Sequence, residues 1–184
     1  ARIEVSCGPW ALASMTDGDL ISRWDCGLPQ DGREEVRIRL GRLATVGAVV
    51  GDLGPWASNF PRQLVVETSI DGTVWQPGWD GDVLELMFAA TFADPKHARL
   101  VVPLAPRAAR YIRLRQTGTD PAFYWSIAEL EIWSDSTRTN LVPRETASRS
   151  SLFRGSPIHP EWIGASRGSR RPPPASTGWP SHHE

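Results

Sequence analysis

The residues best suited to chemistry lie in a turn-rich stretch that combines an aromatic ring with polar side chains. Trp56, Asn59 and Arg62 fall within seven residues, among Gly and Pro. A flat aromatic ring stacks on the apolar face of a pyranose, while amide and guanidinium groups bond to its hydroxyls. This combination predicts non-covalent sugar binding, with Trp56 as the first choice for the stacking ring. An internal salt bridge is the competing interpretation of Arg62.

Two other turn-rich stretches carry exposed-type aromatic residues. Trp79 precedes Asp80, and Phe123 and Tyr124 precede the last strand-like segment of the regular part of the chain. We interpret both stretches as loops. Trp79, Phe123 and Tyr124 therefore join the candidate ligand-binding residues.

A third group of side chains offers oxygen atoms within six residues. Asp17, Asp19 and Ser22 supply two carboxylates and a hydroxyl, and the backbone adds carbonyl oxygens. Calcium prefers six to eight oxygen ligands at flexible distances. The spacing is not that of an EF-hand, and a turn closed by hydrogen bonds to Asp17 is the alternative interpretation.

The sequence lacks the familiar catalytic patterns. It contains no G-x-S-x-G, P-loop or H-E-x-x-H motif. The carboxylate pairs Glu34–Glu35 and Glu129–Glu131 are typical of solvated strand faces. We therefore predict that the protein is not an enzyme.

Size and charge limit the remaining possibilities. A chain of 184 residues suits one domain, and a net charge of -1 provides no field that would attract nucleic acid. No apolar run approaches the roughly 18 residues of a membrane span. We predict neither a nucleic-acid partner nor membrane contact. Cys7 and Cys26 are able to form one disulfide or to stay free.

Short alternating segments predict the fold class. Residues 35–40, 63–70, 110–115 and 128–133 alternate apolar and polar side chains with a period of two. Segments 45–50, 83–88 and 99–102 are further strand candidates, and Asp-Gly pairs at 17, 31, 71 and 80 indicate turns. These patterns predict an all-β fold, an antiparallel β-sandwich of the jelly-roll type.

The composition changes after residue 134. From Ser136 onwards, seven Arg and three Glu give a net charge of +4, which leaves -5 for the preceding residues. This part is rich in Ser, Pro and Gly and has no apolar period. We expect a sandwich domain at 1–134 and a disordered, low-complexity tail at 135–184, together forming a piece of a larger protein.

Four stretches, in order and at fitting spacing, resemble the discoidin family, which includes the coagulation factor V/VIII type C domains and galactose-oxidase-type carbohydrate-binding modules. Arg39 stands where the family usually has an acidic residue, and Ser22 where it has Thr. The stretches are DGDLISRW at 17–24, RIRLG at 37–41, FPR at 60–62 with SIDGTVW at 69–75, and ARYIRL at 109–114 with WSIAELEI at 125–132.

The resemblance implies more than the residues alone. It implies an eight-stranded jelly roll with a first strand near residues 3–5 and a ligand site in the loops at one end. It also implies a structural calcium ion, with Glu129 joining Asp17, Asp19 and Ser22. Finally, it implies that three tryptophans pack inside the sandwich: Trp24, Trp75 and Trp125.

The first functional hypothesis from this resemblance is a carbohydrate-binding module, covalently linked to a larger bacterial glycan-active protein outside the cell or in its envelope. One alternative is an adhesion or lipid-binding domain in which Trp56, Phe60 and Arg62 form an exposed spike. The other is a ligand-free accessory domain that docks on a neighbouring catalytic domain. The negative charge of the first 135 residues argues against anionic lipid.

Overall fold

The computed structural model describes residues 1–134 and 139–142. Within these residues, eight strands, one α-helix and two short 3-10 turns follow one another along the chain. The helix α1 (Leu84–Ala93) stands between the fifth and sixth strands, and the 3-10 turns are Leu12–Met15 and Ala57–Asn59. The strands are β1 (Arg2–Val5), β2 (Trp24–Asp25), β3 (Glu35–Asp52), β4 (Gln63–Ser69), β5 (Gln76–Asp82), β6 (Arg99–Gln116), β7 (Ser126–Ile127) and β8 (Glu129–Trp133).

The two longest strands, β3 and β6, form an antiparallel ribbon that organises the fold. Each has 18 residues, and they pair from Glu35 with Arg115 to Asp52 with Arg99. The first half of β3 also pairs with β1, the second half pairs with β8, and β6 continues through β4 to β5. Register shifts after Arg39 and Val46 interrupt the ribbon midway, and such bulges bend a strand. Both halves bury side chains in one core, so the predicted antiparallel β-sandwich is confirmed.

Alternating side chains explain which face of each strand is buried. In β3, Val36, Ile38 and Leu40 are buried, whereas Arg37 and Arg39 are exposed. This matches the period of two that the sequence shows, since successive side chains of a strand point to opposite faces. Most of the predicted strands are confirmed by their position: 35–40, 45–50, 63–70, 99–102, 110–115 and 128–133 lie within or closely match β3, β4, β6 and β8. Burial does not alternate in all of them, since Leu64, Val65 and Val66 of β4 are all buried.

The predicted strand at 83–88 is wrong, because the chain forms α1 there. The helix contains mainly Leu, Met, Ala and Glu, which favour helices, and no Gly or Pro interrupts it. The Asp82 carboxylate accepts the backbone N–H of Leu84 at 2.7 Å, next to the start of the helix. Val83 and Met87, one turn apart, are buried. A short apolar run does not distinguish a strand from a buried helix.

Two expectations about the β4–β5 region also need correction. The predicted turn at Asp80-Gly81 is wrong, since both residues lie in β5 and pair with Val65 and Leu64. Trp75 does not fill the core but is half-buried, with the guanidinium of Arg113 4.3 Å from its ring centre. The other two tryptophans are buried as expected, and Trp24 and Trp125 meet edge to face at 5.5 Å.

Residues 139–142 extend the sandwich beyond the boundary expected at 134. Asn140 bridges to Trp133, the N–H of Leu141 donates to the Ile132 carbonyl at 2.7 Å, and Val142 is 2% exposed. The other residues expected to form a tail, 135–138 and 143–184, lie outside the described residues. In the described residues, no helix is both long and apolar enough to span a bilayer.

A disulfide joins Cys7 and Cys26, 19 residues apart in sequence. It ties the segment after β1 to the segment after β2. A second bond supports the same connection, because the indole N–H of buried Trp24 donates to the Gly8 carbonyl at 2.8 Å. The first 30 residues contain little regular structure, and these links add to the pairing of β1 with β3 and to the burial of Met15 and Trp24.

Replacing both cysteines by serine tests the contribution of this bridge. A crosslink over a loop of this length stabilises a domain by about 3 kcal/mol, mainly by restricting the unfolded chain. We expect urea unfolding to show a loss of about 2–4 kcal/mol for the double variant, with an unchanged far-UV circular dichroism spectrum. Alkylation of two thiols in the folded, unreduced parent protein would contradict the bridge itself.

Candidate functional site

Three loops meet at one end of the sandwich around the side chain of Gln30, which is 3% exposed. Its amide nitrogen donates to the carbonyls of Phe60 at 3.0 Å and Tyr124 at 3.1 Å. Its amide oxygen accepts the backbone N–H of Arg62 at 3.1 Å, and its backbone pairs with Asp120. One buried amide therefore connects the segments 26–34, 53–62 and 117–125.

Arg62 forms the internal salt bridge that the sequence left open. Its Nε donates to Asp120 at 2.7 Å, and its terminal nitrogens donate to the carbonyls of Phe60 at 3.2 Å and Ser58 at 3.1 Å. The guanidinium lies 4.0 Å from the Phe60 ring centre and 5.4 Å from that of Phe123. Because arginine has five N–H donors, at most two remain for a ligand. Arg62 mainly fastens two loops together.

Asp120 is the counterpart of this clamp. Its second carboxylate oxygen accepts the backbone N–H groups of Ala122 at 2.8 Å and Phe123 at 2.9 Å. These two backbone bonds, with the Arg62 guanidinium beside it, lower the pKa of Asp120 to about 2 from its usual 3.8. Hydrogen bonds to the charged form and a nearby positive charge both favour ionisation. The carboxylate thus fixes the turn that carries Phe123 and Tyr124, the aromatic pair of this end.

The aromatic pair on this turn points to solvent. Phe123 is 42% exposed and Tyr124 is 36% exposed. The Phe123 carbonyl accepts the backbone N–H of Gln30 at 3.2 Å, so the backbone under both rings is bonded. The result is two exposed rings on a tightly held polar base, which suits stacking against a ligand.

The other predicted ligand residues have different surroundings. Trp56 is half-buried, and the Arg23 guanidinium lies 4.2 Å from its ring centre, so one face of the ring is covered. Asn59 is 8% exposed and belongs to a 3-10 turn beneath the surface. The prediction that Trp79 lies in a loop is wrong: Trp79 lies in β5, pairs with Val66 and packs partly against the core. The structure therefore brings Arg62, Phe123 and Tyr124 together and places Trp79 elsewhere.

The oxygen-rich segment forms a compact loop. The Ser22 hydroxyl lies 2.7 Å from the Asp17 carboxylate and 3.1 Å from the Asp19 carbonyl. The Glu129 carboxylate, 2% exposed, accepts the backbone N–H of Gly18 at 2.9 Å. In the described residues, no three His, Cys, Asp or Glu side chains cluster in a way that would hold a metal by themselves. An ion here would depend on hydroxyl and carbonyl oxygens as well, and such a donor set fits calcium.

Residues 4–130 match the family model for the F5/8 type C domain. The chain belongs to the F5/8 type C domain family. The discoidin resemblance of the sequence is thereby confirmed, and the matched range contains Gln30, Arg62, Asp120 and the aromatic pair. No curated protein matches the chain.

Several solved structures similar to this F5/8 type C domain are carbohydrate-binding modules. A CBM32 of AlyQ, solved in complex with 4,5-unsaturated mannuronic acid, is 18% identical, with a TM-score of 0.54 over 72% of this chain and 94% of that one. Chitosan-binding module 1 of a chitosanase/glucanase from Paenibacillus sp. IK-5 is 20% identical, with a TM-score of 0.54 and the same coverage. CBM32-3 of a family 31 glycoside hydrolase from Clostridium perfringens is 16% identical, with a TM-score of 0.55 over 72% and 91%. At these identities the shared property is the fold.

Two residues of this F5/8 type C domain escaped sequence reasoning. Gln30 carries no periodic or motif signal, because its partners lie 30 and 94 residues away. Trp10 is 60% exposed, and its ring touches Gly27 in the segment 26–34. The only signal for it in the sequence is its position three residues after Cys7, which becomes informative once the disulfide is known, since an aromatic residue in a disulfide-tied loop is held in place.

Replacing Asp120 by asparagine tests the clamp through its pH dependence. A carboxylate whose folded pKa is lowered contributes stability above its unfolded pKa and loses it as the pH falls through the folded pKa. We expect the parent protein to exceed Asp120→Asn in free energy of unfolding by a constant amount above about pH 5, and this difference to shrink between about pH 4 and pH 2. Urea unfolding at each pH measures it. A difference that is independent of pH down to 2 would contradict the assignment.

Proposed function

We propose that this F5/8 type C domain is a non-catalytic carbohydrate-binding module whose ligand lies against Phe123 and Tyr124. The observation that carries the proposal is an exposed aromatic pair on a rigid polar base at the loop end. Family membership and the fold shared with carbohydrate-binding modules support it. Sugar rings need such a combination of a flat apolar surface and fixed polar groups.

The aromatic rings supply most of the recognition in this proposal. The exposed faces of Phe123 and Tyr124 contact the apolar face of a pyranose, and the Tyr124 hydroxyl bonds to its rim. The remaining N–H groups of Arg62 and the uncovered face of Trp56 contribute at the periphery. Asn59 is buried and supports the loop without contacting ligand.

Such a site binds weakly by itself. A stacking ring and a few exposed hydrogen bonds are worth about 5 kcal/mol, which corresponds to a dissociation constant of roughly 10⁻⁴ M. Weak binding is sufficient for a module that is covalently linked to a glycan-active protein, because attachment raises the local concentration of that partner at its substrate. The Cys7–Cys26 disulfide supports a location outside the cell or in the cell envelope, where disulfides persist.

The structure gives less support to lipid binding. The proposed spike of Trp56, Phe60 and Arg62 does not form: the Trp56 ring is half-buried under Arg23, Phe60 packs partly against the core, and Arg62 is paired with Asp120. An inserting spike needs exposed apolar side chains at its tip. We therefore prefer sugar to lipid as the ligand.

Removing the aromatic pair tests the proposed ligand. We expect Phe123→Ala with Tyr124→Ala to weaken binding to the best glycan of an array at least tenfold, because both stacking surfaces are lost. Val74→Ala is the matched control, since Val74 is 67% exposed in the turn at the other end of β4. Equal binding by the double variant and the control would overturn the proposed site, and a domain silent on the whole array would favour the ligand-free accessory role.

We further propose that the loop 17–22 and Glu129 hold a structural calcium ion. The Asp17 and Glu129 carboxylates, the Ser22 hydroxyl and the Asp19 carbonyl provide its hard oxygen ligands. The ion would fix the loop 17–22 against β8, where hydrogen bonds alone would otherwise hold it.

EDTA tests the calcium proposal through stability. Calcium at 100 times its dissociation constant adds about 2.7 kcal/mol to the folded state, so EDTA should lower the melting temperature by several degrees and added calcium should restore it. Asp17→Asn should lose this response, whereas Asp94→Asn, an exposed carboxylate after α1, should keep it. A melting temperature that EDTA leaves unchanged would remove the ion.

A further inference from the structure

Trp10 is an exposed tryptophan beside a core that other tryptophans already fill. The ring is 60% accessible, whereas Trp24 and Trp125 fill the interior nearby. It lies in the segment 6–11, which follows β1 where Val5 pairs with Val36 and the N–H of Ser6 donates to the Glu35 carbonyl. Glu35 in turn pairs with Arg115, near the end of β6 that leads to Phe123 and Tyr124. A large exposed ring at a recognition end is a candidate contact surface.

The segment around Trp10 has little freedom to move. Cys7 is crosslinked to Cys26, and the Gly8 carbonyl accepts the Trp24 indole N–H at 2.8 Å. Gly8 has a φ of 56°, and a Cβ there would lie 2.1 Å from the Asp25 carbonyl oxygen. The backbone on the N-terminal side of Trp10 is therefore pressed against the segment 24–26.

The residue after Trp10 adopts an unfavourable conformation. Ala11 has a φ of 59°, the one positive value among the non-glycine residues that the structure describes. This left-handed conformation is unfavourable for an L-residue, and it persists where the surroundings enforce it. On its other side the indole ring touches Gly27, where a Cβ would lie 3.0 Å from a ring carbon. The fold thus holds Trp10 in one exposed position.

Trp10 and Tyr124 lie on neighbouring segments. Gly27, which the Trp10 ring touches, follows Cys26, whose N–H donates to the Trp125 carbonyl at 3.2 Å. Tyr124 precedes Trp125, so Gly27 and Tyr124 are the neighbours of the hydrogen-bonded residues Cys26 and Trp125. The antiparallel register of β2 with β7 continues through this bond and places Gly27 opposite Tyr124. Paired segments are about 5 Å apart, so the Trp10 ring touches the segment that runs beside Tyr124.

We propose that Trp10 is a second stacking surface, and that the ligand is an oligosaccharide of at least two sugar units rather than a single terminal sugar. One sugar ring lies against Phe123 and Tyr124, and a neighbouring ring of the same chain lies against Trp10. The disulfide and Gly27 keep the second surface ready before the ligand arrives, which lowers the entropy cost of binding. The proposal rests on the proposed function but adds to it the class of glycan.

Binding to sugars of increasing length tests this inference. The probes are the mono-, di- and tetrasaccharides of chitosan, galacturonan, mannuronan and β-1,4-glucan, titrated by calorimetry into the complete chain. We expect the preferred series to bind about fivefold to tenfold more tightly as a tetrasaccharide than as a monosaccharide, the gain that one more ring contact provides. Trp10→Ala should remove this gain and leave the monosaccharide affinity within twofold.

Two companion variants separate the outcomes. Phe123→Ala with Tyr124→Ala should weaken every length, and Trp10→Phe should keep part of the gain because a ring remains. A gain with length that survives in Trp10→Ala, or the absence of any gain in the parent protein, would overturn the inference and leave the proposed function standing. Failure of the parent protein to bind any probe or any glycan on the array would overturn both.

A fluorine label tests the contact in the parent protein, so the result does not depend on whether Trp10→Ala folds correctly. In the parent protein labelled with 5-fluorotryptophan, the resonance that disappears in Trp10→Phe belongs to Trp10. That resonance should shift when the tetrasaccharide saturates the protein and stay in place with the monosaccharide. A Trp10 resonance that ignores both ligands, while the tetrasaccharide binds, would equally overturn the inference.

Discussion

The end-to-end pairing of β3 with β6 is the constraint on which the rest of the structure depends. The two strands pair over almost their whole length, and the interruptions after Arg39 and Val46 let one ribbon border a single core from two sides. This arrangement brings the ends of the ribbon, at Glu35–Arg115 and Asp52–Arg99, to the loops that carry the candidate site. The segment 53–62 then crosses from Asp52 to β4, and the segment 117–125 leaves from the end of β6.

The buried amide of Gln30 converts this general arrangement into a defined site. Loops at the end of a sandwich have few obligatory partners, and an unpaired buried polar group is costly. Gln30 satisfies carbonyl and N–H groups of two other loops at once, and the Arg62–Asp120 pair adds a charged link between the same loops. The polar groups nearest the surface are therefore largely engaged with one another, which leaves the aromatic rings as the accessible surface.

Sequence reasoning succeeded where a single strand face decides the residue type. The alternation in β3 and β6 reflects one buried and one solvated face, and it can be read without knowledge of the partner strand. It failed at α1, where Val83 and Met87 are buried one helical turn apart within an apolar run that also fits a strand. It failed at Trp79 because pairing of β5 with β4 overrides the local turn preference of Asp80-Gly81. Gln30 could not have been found, since its role depends on three segments that are distant in sequence.

The oxygen-rich loop and the aromatic end are mechanically connected. Gly54, with a φ of 54°, comes so close to the Leu20 carbonyl oxygen that a Cβ would lie 2.2 Å from it. Arg23, directly after the loop, covers one face of Trp56 while it pairs with Asp25 at 3.2 Å. A displacement of the loop 17–22 would therefore push on the segment 53–56 and uncover Trp56. Whatever holds this loop, be it hydrogen bonds alone or hydrogen bonds with an ion, thus helps to position the surface proposed to meet the ligand, although none of its own side chains belongs to the aromatic pair.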